Sequence, residues 1–189
     1  MKNRVGIFIG IGIALLILIA VGSLWGTYNS LVTKSQQIDG QWDQVETQYQ
    51  RRFDLIPNLV NSVKGIMTQE QTVFNAIAEA RSKYAGAATP NEKAAAGGEV
   101  ETALARLLVV MENYPQLRSI EAVTQLMDEL AGTENRISVE RRRYNDYVRD
   151  YNTAIKKFPT NLLAGMFNFN ERNYFESVSG ADTVPKVEF

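Results

Sequence analysis

The chain has neither cysteine nor histidine, and its 20 basic and 21 acidic residues leave a net charge of −1. Without cysteine there is no thiolate nucleophile, no disulfide framework, no thiolate zinc site and no lipid joined through sulfur. Without histidine the usual general base is missing, and so is the imidazole that completes a carboxylate–histidine iron site in a helical bundle. An enzyme would have to work with carboxylates, Lys, Tyr, Ser or a borrowed metal. The balanced charge gives no electrostatic footprint for nucleic acid. Composition therefore points away from catalysis, from a cofactor and from a metal centre.

Charge is also absent from one long run. Residues 5–25, VGIFIGIGIALLILIAVGSLW, carry none. As a helix this run spans about 31 Å, the thickness of a bilayer core. Trp25 and Tyr28 follow at interfacial depth. The apolar region is longer than that of a cleaved signal, and those large residues suit a cleavage site poorly. The run reads as a retained single-pass anchor in a cell (inner) membrane. Lys2 and Arg4 precede it and only Lys34 follows closely. The positive-inside rule then puts the N-terminus in the cytoplasm and the rest of the chain outside. Gly6 with Gly10, and Gly22 with Gly26, form G-x-x-x-G pairs that would let helices approach; glycine is also common in ordinary membrane helices.

Beyond the run, apolar residues follow a heptad. Tyr28, Trp42, Tyr49, Ile56 and Val63 fall on one position and Leu31, Ile38, Val45 and Leu59 on the other, with Ser35 and Arg52 as intruders. Pro57 lies one step off this seam, in RRFDLIPNLVNSVKG (51–65), where its ring predicts a bend. Gly65 is a predicted stop, and TQEQ (68–71) fits a capping box with Thr68 as the cap of a second helix, 69–84. KYAGAATPNEKAAAGG reads as a small-residue connector that runs into a third helix, about 90–113, capped by Thr89 with Pro90 first inside and Glu92 completing the box. Pro115 can open the next helix. The last seam runs from Ile120 to Phe158 with Glu134 and Arg141 as intruders, and Pro159 stops it.

The predicted fold is all-α: an N-terminal transmembrane helix followed by an antiparallel up-down four-helix bundle with two long and two short helices. Its segments are 1–4, a short N-terminal stretch; 5–25, the anchor; 26–158, the bundle; and 159–189, an aromatic tail ending in a flexible SGADTVPKVEF. Placing Tyr28 opposite Phe158 makes facing residue numbers add to 186, so Arg52 faces Glu134 and Trp42 faces Tyr144. Arg141, one heptad on, is within reach of the same carboxylate. The Arg52–Glu134 pair would set register more than add stability.

Other motifs are weaker. Tyr-Asn recurs at Tyr28-Asn29, Tyr144-Asn145 and Tyr151-Asn152. The plain reading is a core tyrosine beside a solvated asparagine; the sharper one is a polar strip that docks a partner. Arg141–Arg143, interleaved with acids, reads as a solvated, salt-laced face. The tail, with Phe167 and Phe169, can pack on the bundle base, lie on lipid or meet a partner.

RRFDLIPNLVNSVKG, LLVVMENYPQL (107–117), ELAGTENRISVERRRYNDYVRDYNTAIKKFP (129–159) and NLLAGMFNF together resemble the LemA family over residues 26–176. The resemblance implies an N-terminal transmembrane segment and an antiparallel four-helix bundle, and supplies no catalytic residues. It implies an accessory or scaffold role, with a membrane protein such as a zinc metalloprotease as partner. One departure is Asn168 between the two tail aromatics, where the family often has glycine. The functional expectation is a bilayer-anchored scaffold or adaptor that binds protein and can self-assemble. The alternative is a ligand-sensing extracytoplasmic bundle that signals through a partner.

Overall fold

The computed structural model describes residues 2–175, with side chains from Gly10 onward apart from Arg118. Met1 of the short N-terminal stretch, the surroundings of Gly6 and the C-terminal segment predicted to be flexible lie outside the described residues. The described residues form five α-helices and one 3-10 helix, with no strand among them: α1 (Lys2–Lys64), α2 (Gln71–Gly86), α3 (Pro90–Met111), the 3-10 helix (Pro115–Ser119), α4 (Glu121–Lys156) and α5 (Thr160–Met166).

The chain divides into two compact units. The first comprises the chain up to Gly40 with Asp146–Arg172, and the second Gln41–Asn145 with the tail from Asn173. Helices α1 and α4 contribute to both.

In the first unit, α1 is long and apolar enough to cross a membrane. Ile11, Leu16, Leu18, Ile19 and their neighbours to Trp25 are all exposed. Burial begins at Leu31 and Ile38, together with Val148, Tyr151 and Ile155 of α4 and Leu163 and Ala164 of α5. Helix α5 ends in a Schellman motif: Phe169 N–H reaches back to Ala164 O at 3.0 Å, across Asn168 at φ 57°. That left-handed position favours glycine, and asparagine is the side chain that tolerates it next best.

In the second unit the heptad seam is the core. Val45, Tyr49, Phe53, Ile56, Leu59 and Val63 of α1 are buried, as are Val123, Leu130, Ile137 and Tyr144 of α4. Phe74, Ile77 and Tyr84 of α2 and Val100, Leu104 and Leu107 of α3 complete it. Rings of Tyr49, Phe53 and Tyr84 meet at centroid distances of 4.3–5.9 Å, the range in which aromatic pairs add stability beyond their burial. Pro57 sits inside α1, which continues through it to Lys64. Proline has no N–H, so the Phe53 carbonyl lacks its ordinary helical partner there.

Helix ends follow their local chemistry in one case and depart from it in another. At α3 the Thr89 side chain accepts from Glu92 N–H at 3.2 Å, and the Glu92 carboxylate accepts from the N–H groups of Thr89 and Ala88. This is a full capping box with Pro90 at the first turn. Thr68, by contrast, is not a cap. Helix α2 starts two residues later than a Thr68 cap requires, behind Glu70, which makes no side-chain cap bond. Backbone turns bonded to Val63 and Met67 consume the intervening residues. Helix α1 ends just before Gly65, whose φ stays out of the left-handed region.

Candidate functional site

The polar chemistry of the second unit gathers around two arginines on otherwise apolar helix faces. Arg52 on α1 is buried, and its Nη1 donates to Glu134 Oε2 on α4. The Arg52 side chain is 9% exposed and that of Glu134 43%. Trp42 and Tyr144 meet edge to face at 5.7 Å. Both pairs have residue numbers that add to 186.

Arg141 does not share the Glu134 carboxylate, as heptad spacing suggested. Its Nη2 donates to Glu101 on α3 at 2.6 Å and to the hydroxyl of Tyr49. Its guanidinium lies 5.3 Å from the Tyr49 ring centre and 4.6 Å from that of Phe175, within cation–π range. The run Arg141–Arg143 is thus not uniformly solvated: Arg141 turns inward, whereas Arg143 holds Glu140 at the surface at 2.8 Å. Burial lowers the pKa of Arg52, against the charge of Glu101, and takes Arg141 down to about 10. Both remain cationic at neutral pH. Burial raises Glu101, and the Arg52 charge opposes that shift.

Gly97, in the stretch read as a connector, is a contact site within α3. A Cβ there would lie 2.7 Å from Cε1 and 2.8 Å from the hydroxyl of Tyr49. Only a residue without a side chain lets α3 pass so close to that ring. Nothing in the spacing of KAAAGG marks Gly97 over Gly98; the signal is its place opposite a large core residue.

The tyrosine–asparagine pairs show what holds the tail. In the second unit, Asn145 Oδ1 accepts from Phe175 N–H at 2.7 Å and its Nδ2 donates to Phe175 O at 3.0 Å. Phe175 itself is buried and stacks on Trp42 at 6.1 Å. In the first unit, Asn152 makes the same two bonds with Arg172, at 2.9 and 2.8 Å. The Arg172 guanidinium donates to Asp39 at 2.8 Å and Ser35 at 3.2 Å. Asn145 and Asn152 are therefore not free solvated groups; both grip the chain's own tail. Asn29 is exposed, and its carbonyl accepts from the Thr33 hydroxyl. Tyr28 packs edge-on against Phe167 at 4.9 Å and Phe169 at 5.7 Å.

An open groove of about 520 Å³ in the second unit is lined by Glu46, Phe53, Arg81, Tyr84 and Lys93 among others. Lys93 closes on Glu46 across it. The Tyr84 hydroxyl has no protein partner, and burial raises its pKa. Among the described residues no group of three or more Asp or Glu is placed to hold a metal ion.

The LemA family model matches residues 41–189. The chain is 28% identical over 189 residues to magnetosome proteins MamQ 1 and MamQ 2 of Paramagnetospirillum magneticum, an overlap of 86% of this chain and 70% of each relative. To magnetosome protein MamQ of Magnetospirillum gryphiswaldense it is 28% identical over 200 residues, covering 92% of this chain and 74% of the relative. With the seam from Trp42 onward, the inward arginines and the tail inside the matched region, this chain belongs to the LemA family.

Proposed function

We propose that the chain is a single-pass, membrane-anchored scaffold that works by holding proteins together rather than by chemistry. The observation that carries this reading is how its buried charges are used: Arg52 and Arg141 are each closed by a carboxylate of the same unit. Buried charges used in this way support a structural role. The apolar start of α1 supports the anchor, and the positive bias of Lys2 and Arg4 supports a cytoplasmic N-terminus. Relatives named as magnetosome proteins are compatible with a membrane-associated protein.

In this reading the second unit is an antiparallel up-down four-helix bundle, supported by the Trp42–Tyr144 and Arg52–Glu134 register and by the short α2–α3 connection. Spin labels at Thr47 and Val139 would then lie close, and moving only the second label to Gln125 would displace it by about 21 Å along the helix axis. Labels at Asn61 and Gln125 would again lie close, whereas a parallel α1–α4 arrangement cannot bring both Thr47–Val139 and Asn61–Gln125 together. The partner is a membrane protein, with a zinc metalloprotease as the first candidate. Photocrosslinkers at exposed Val109 and Val139, used in the native membrane, test it. Recurrent capture of one membrane protein supports an adaptor; capture of the same chain alone replaces it with a self-assembling scaffold.

The groove beside Tyr84 supports a second reading, a ligand-sensing bundle that signals through a partner. A small molecule that raises the melting temperature, and whose effect is lost in Tyr84→Phe, would favour it.

A further inference from the structure

Beyond the apolar run of α1, five large apolar side chains among the described residues have more than half their surface exposed. Four lie together: Phe158 at 80%, Leu162 at 60%, Met166 at 74% and Phe167 at 51%. Within α5 they are sorted by face. Leu162, Gly165 and Met166 are exposed on one arc with Asn161 at its edge, while Leu163 and Ala164 are buried on the other. The exposed arc is mainly apolar, with the large side chains of Leu162 and Met166. A short helix with both faces apolar has two apolar neighbours, and the protein supplies only one of them.

We propose that α5, with Phe158 before it and Phe167 after it, is an interfacial foot lying on the phospholipid bilayer where α1 emerges. The proposal rests on reading α1 as a membrane anchor. Position argues for lipid over a protein partner. Tyr28 holds Phe167 and Phe169 by edge-on ring contacts. Tyr28 lies three residues beyond Trp25, about 4.5 Å along the helix axis, at the end of the charge-free run. The end of α5 is therefore tied to the level at which an anchor crossing the bilayer would leave the hydrocarbon. Aromatic rings and a mixed apolar–polar rim belong at that level.

The flanks fit the same placement. Lys156 and Lys157, both exposed, precede Phe158, and ammonium groups at this depth meet the phosphates of the headgroups. Lys156 also bonds Glu171 at 2.9 Å, so Lys157 carries the larger share of that attraction. At the other end, Asn168 reverses the chain and directs it away from the foot toward the Asn152 clamp. The foot is thus bounded at both ends.

The absence of cysteine makes the test direct. Single cysteines at Leu162 or Met166 take a spin label in the full chain, reconstituted in phosphatidylcholine–phosphatidylglycerol vesicles. Leu16→Cys gauges the span and Gln125→Cys gauges water. All four positions are exposed, so labelling leaves packing intact, which circular dichroism checks. The expected result is that oxygen relaxes labels at 162 and 166 more than a water-soluble nickel chelate does, as at 16 and opposite to 125. If 16 behaves as lipid-exposed while 162 and 166 are open to nickel, the anchor stands and the foot is wrong. Shielding of 162 and 166 from both reagents means protein covers them and also overturns the proposal. Nickel access at 16 removes the anchor reading itself.

Discussion

Replacing Gly97 by alanine sets two effects of opposite sign against each other. Alanine in a helix interior is favoured over glycine by about 0.8–1 kcal/mol. The added methyl, however, would stand 2.7–2.8 Å from three atoms of the Tyr49 ring, where relaxed contacts lie at about 3.5–4.0 Å. The ring must retreat by most of an ångström. It is fully buried, with Phe53 and Tyr84 packed on it and Arg141 bonded to its hydroxyl. Overpacking costs about 1–3 kcal/mol, and weakening the Arg141–tyrosine bond adds about 1 kcal/mol. The expected net loss is about 1–3 kcal/mol. Gly132, inside α4, has nothing within 4 Å of its Cβ position. Gly132→Ala should therefore gain up to about 1 kcal/mol by propensity alone. Urea unfolding of the full chain in detergent, followed at 222 nm, measures both. A Gly97→Ala protein as stable as Gly132→Ala would refute the close approach of α3 to Tyr49.

Three further outcomes follow from the same structure. Glu134→Ala strands a buried guanidinium and should cost about 1–3 kcal/mol, whereas Arg52→Met, which removes the charge and keeps the volume, should cost much less in the same unfolding assay. Asn145→Ala should speed hydrogen exchange at the Phe175 amide, and Asn152→Ala at the Arg172 amide, leaving the core amides of α1 protected; unchanged exchange would mean the clamps are not formed in solution. Thr89→Ala should cost about 1 kcal/mol. Backbone bonds from Ala88 and Thr89 hold the Glu92 pKa below its ordinary 4.5, so its share of the cap is present above 4.5 and lost as pH falls through the lower folded value. Glu92→Gln should remove that acid dependence from the helix signal.

Much of this arrangement is legible in the sequence because it obeys short-range periodic rules. A seam alternating three and four residues can only be a helix face, and laying the two seams antiparallel with Tyr28 opposite Phe158 brings Arg52, the charged intruder of one, against Glu134, one of two in the other. That reasoning reaches the Arg52–Glu134 pair. It fails for Arg141, because the partner Glu101 sits on α3, and the height of α3 against α4 depends on a 3-10 turn at Pro115–Ser119 that heptad counting does not describe. Thr68 misled because a capping signature is only four residues long, and the turn after Lys64 used those residues for backbone bonds instead. Gly97 and the asparagine clamps were hidden for a common reason. Each depends on a partner distant in sequence, and neither a glycine nor an asparagine declares which one.

A helix is normally closed to β-style pairing, since its own amides and carbonyls are spent on one another. Asn145 and Asn152 lift that restriction, because a carboxamide offers the same donor and acceptor as a peptide unit. Through them α4 presents isolated rungs of a strand edge to an extended chain. Recognition of this kind reads main chain and ignores side-chain identity. The two main-chain bonds at Arg172 thus place no demand on its side chain, whose guanidinium is held separately by Asp39 and Ser35, and the clamp itself bars only proline, which removes the N–H.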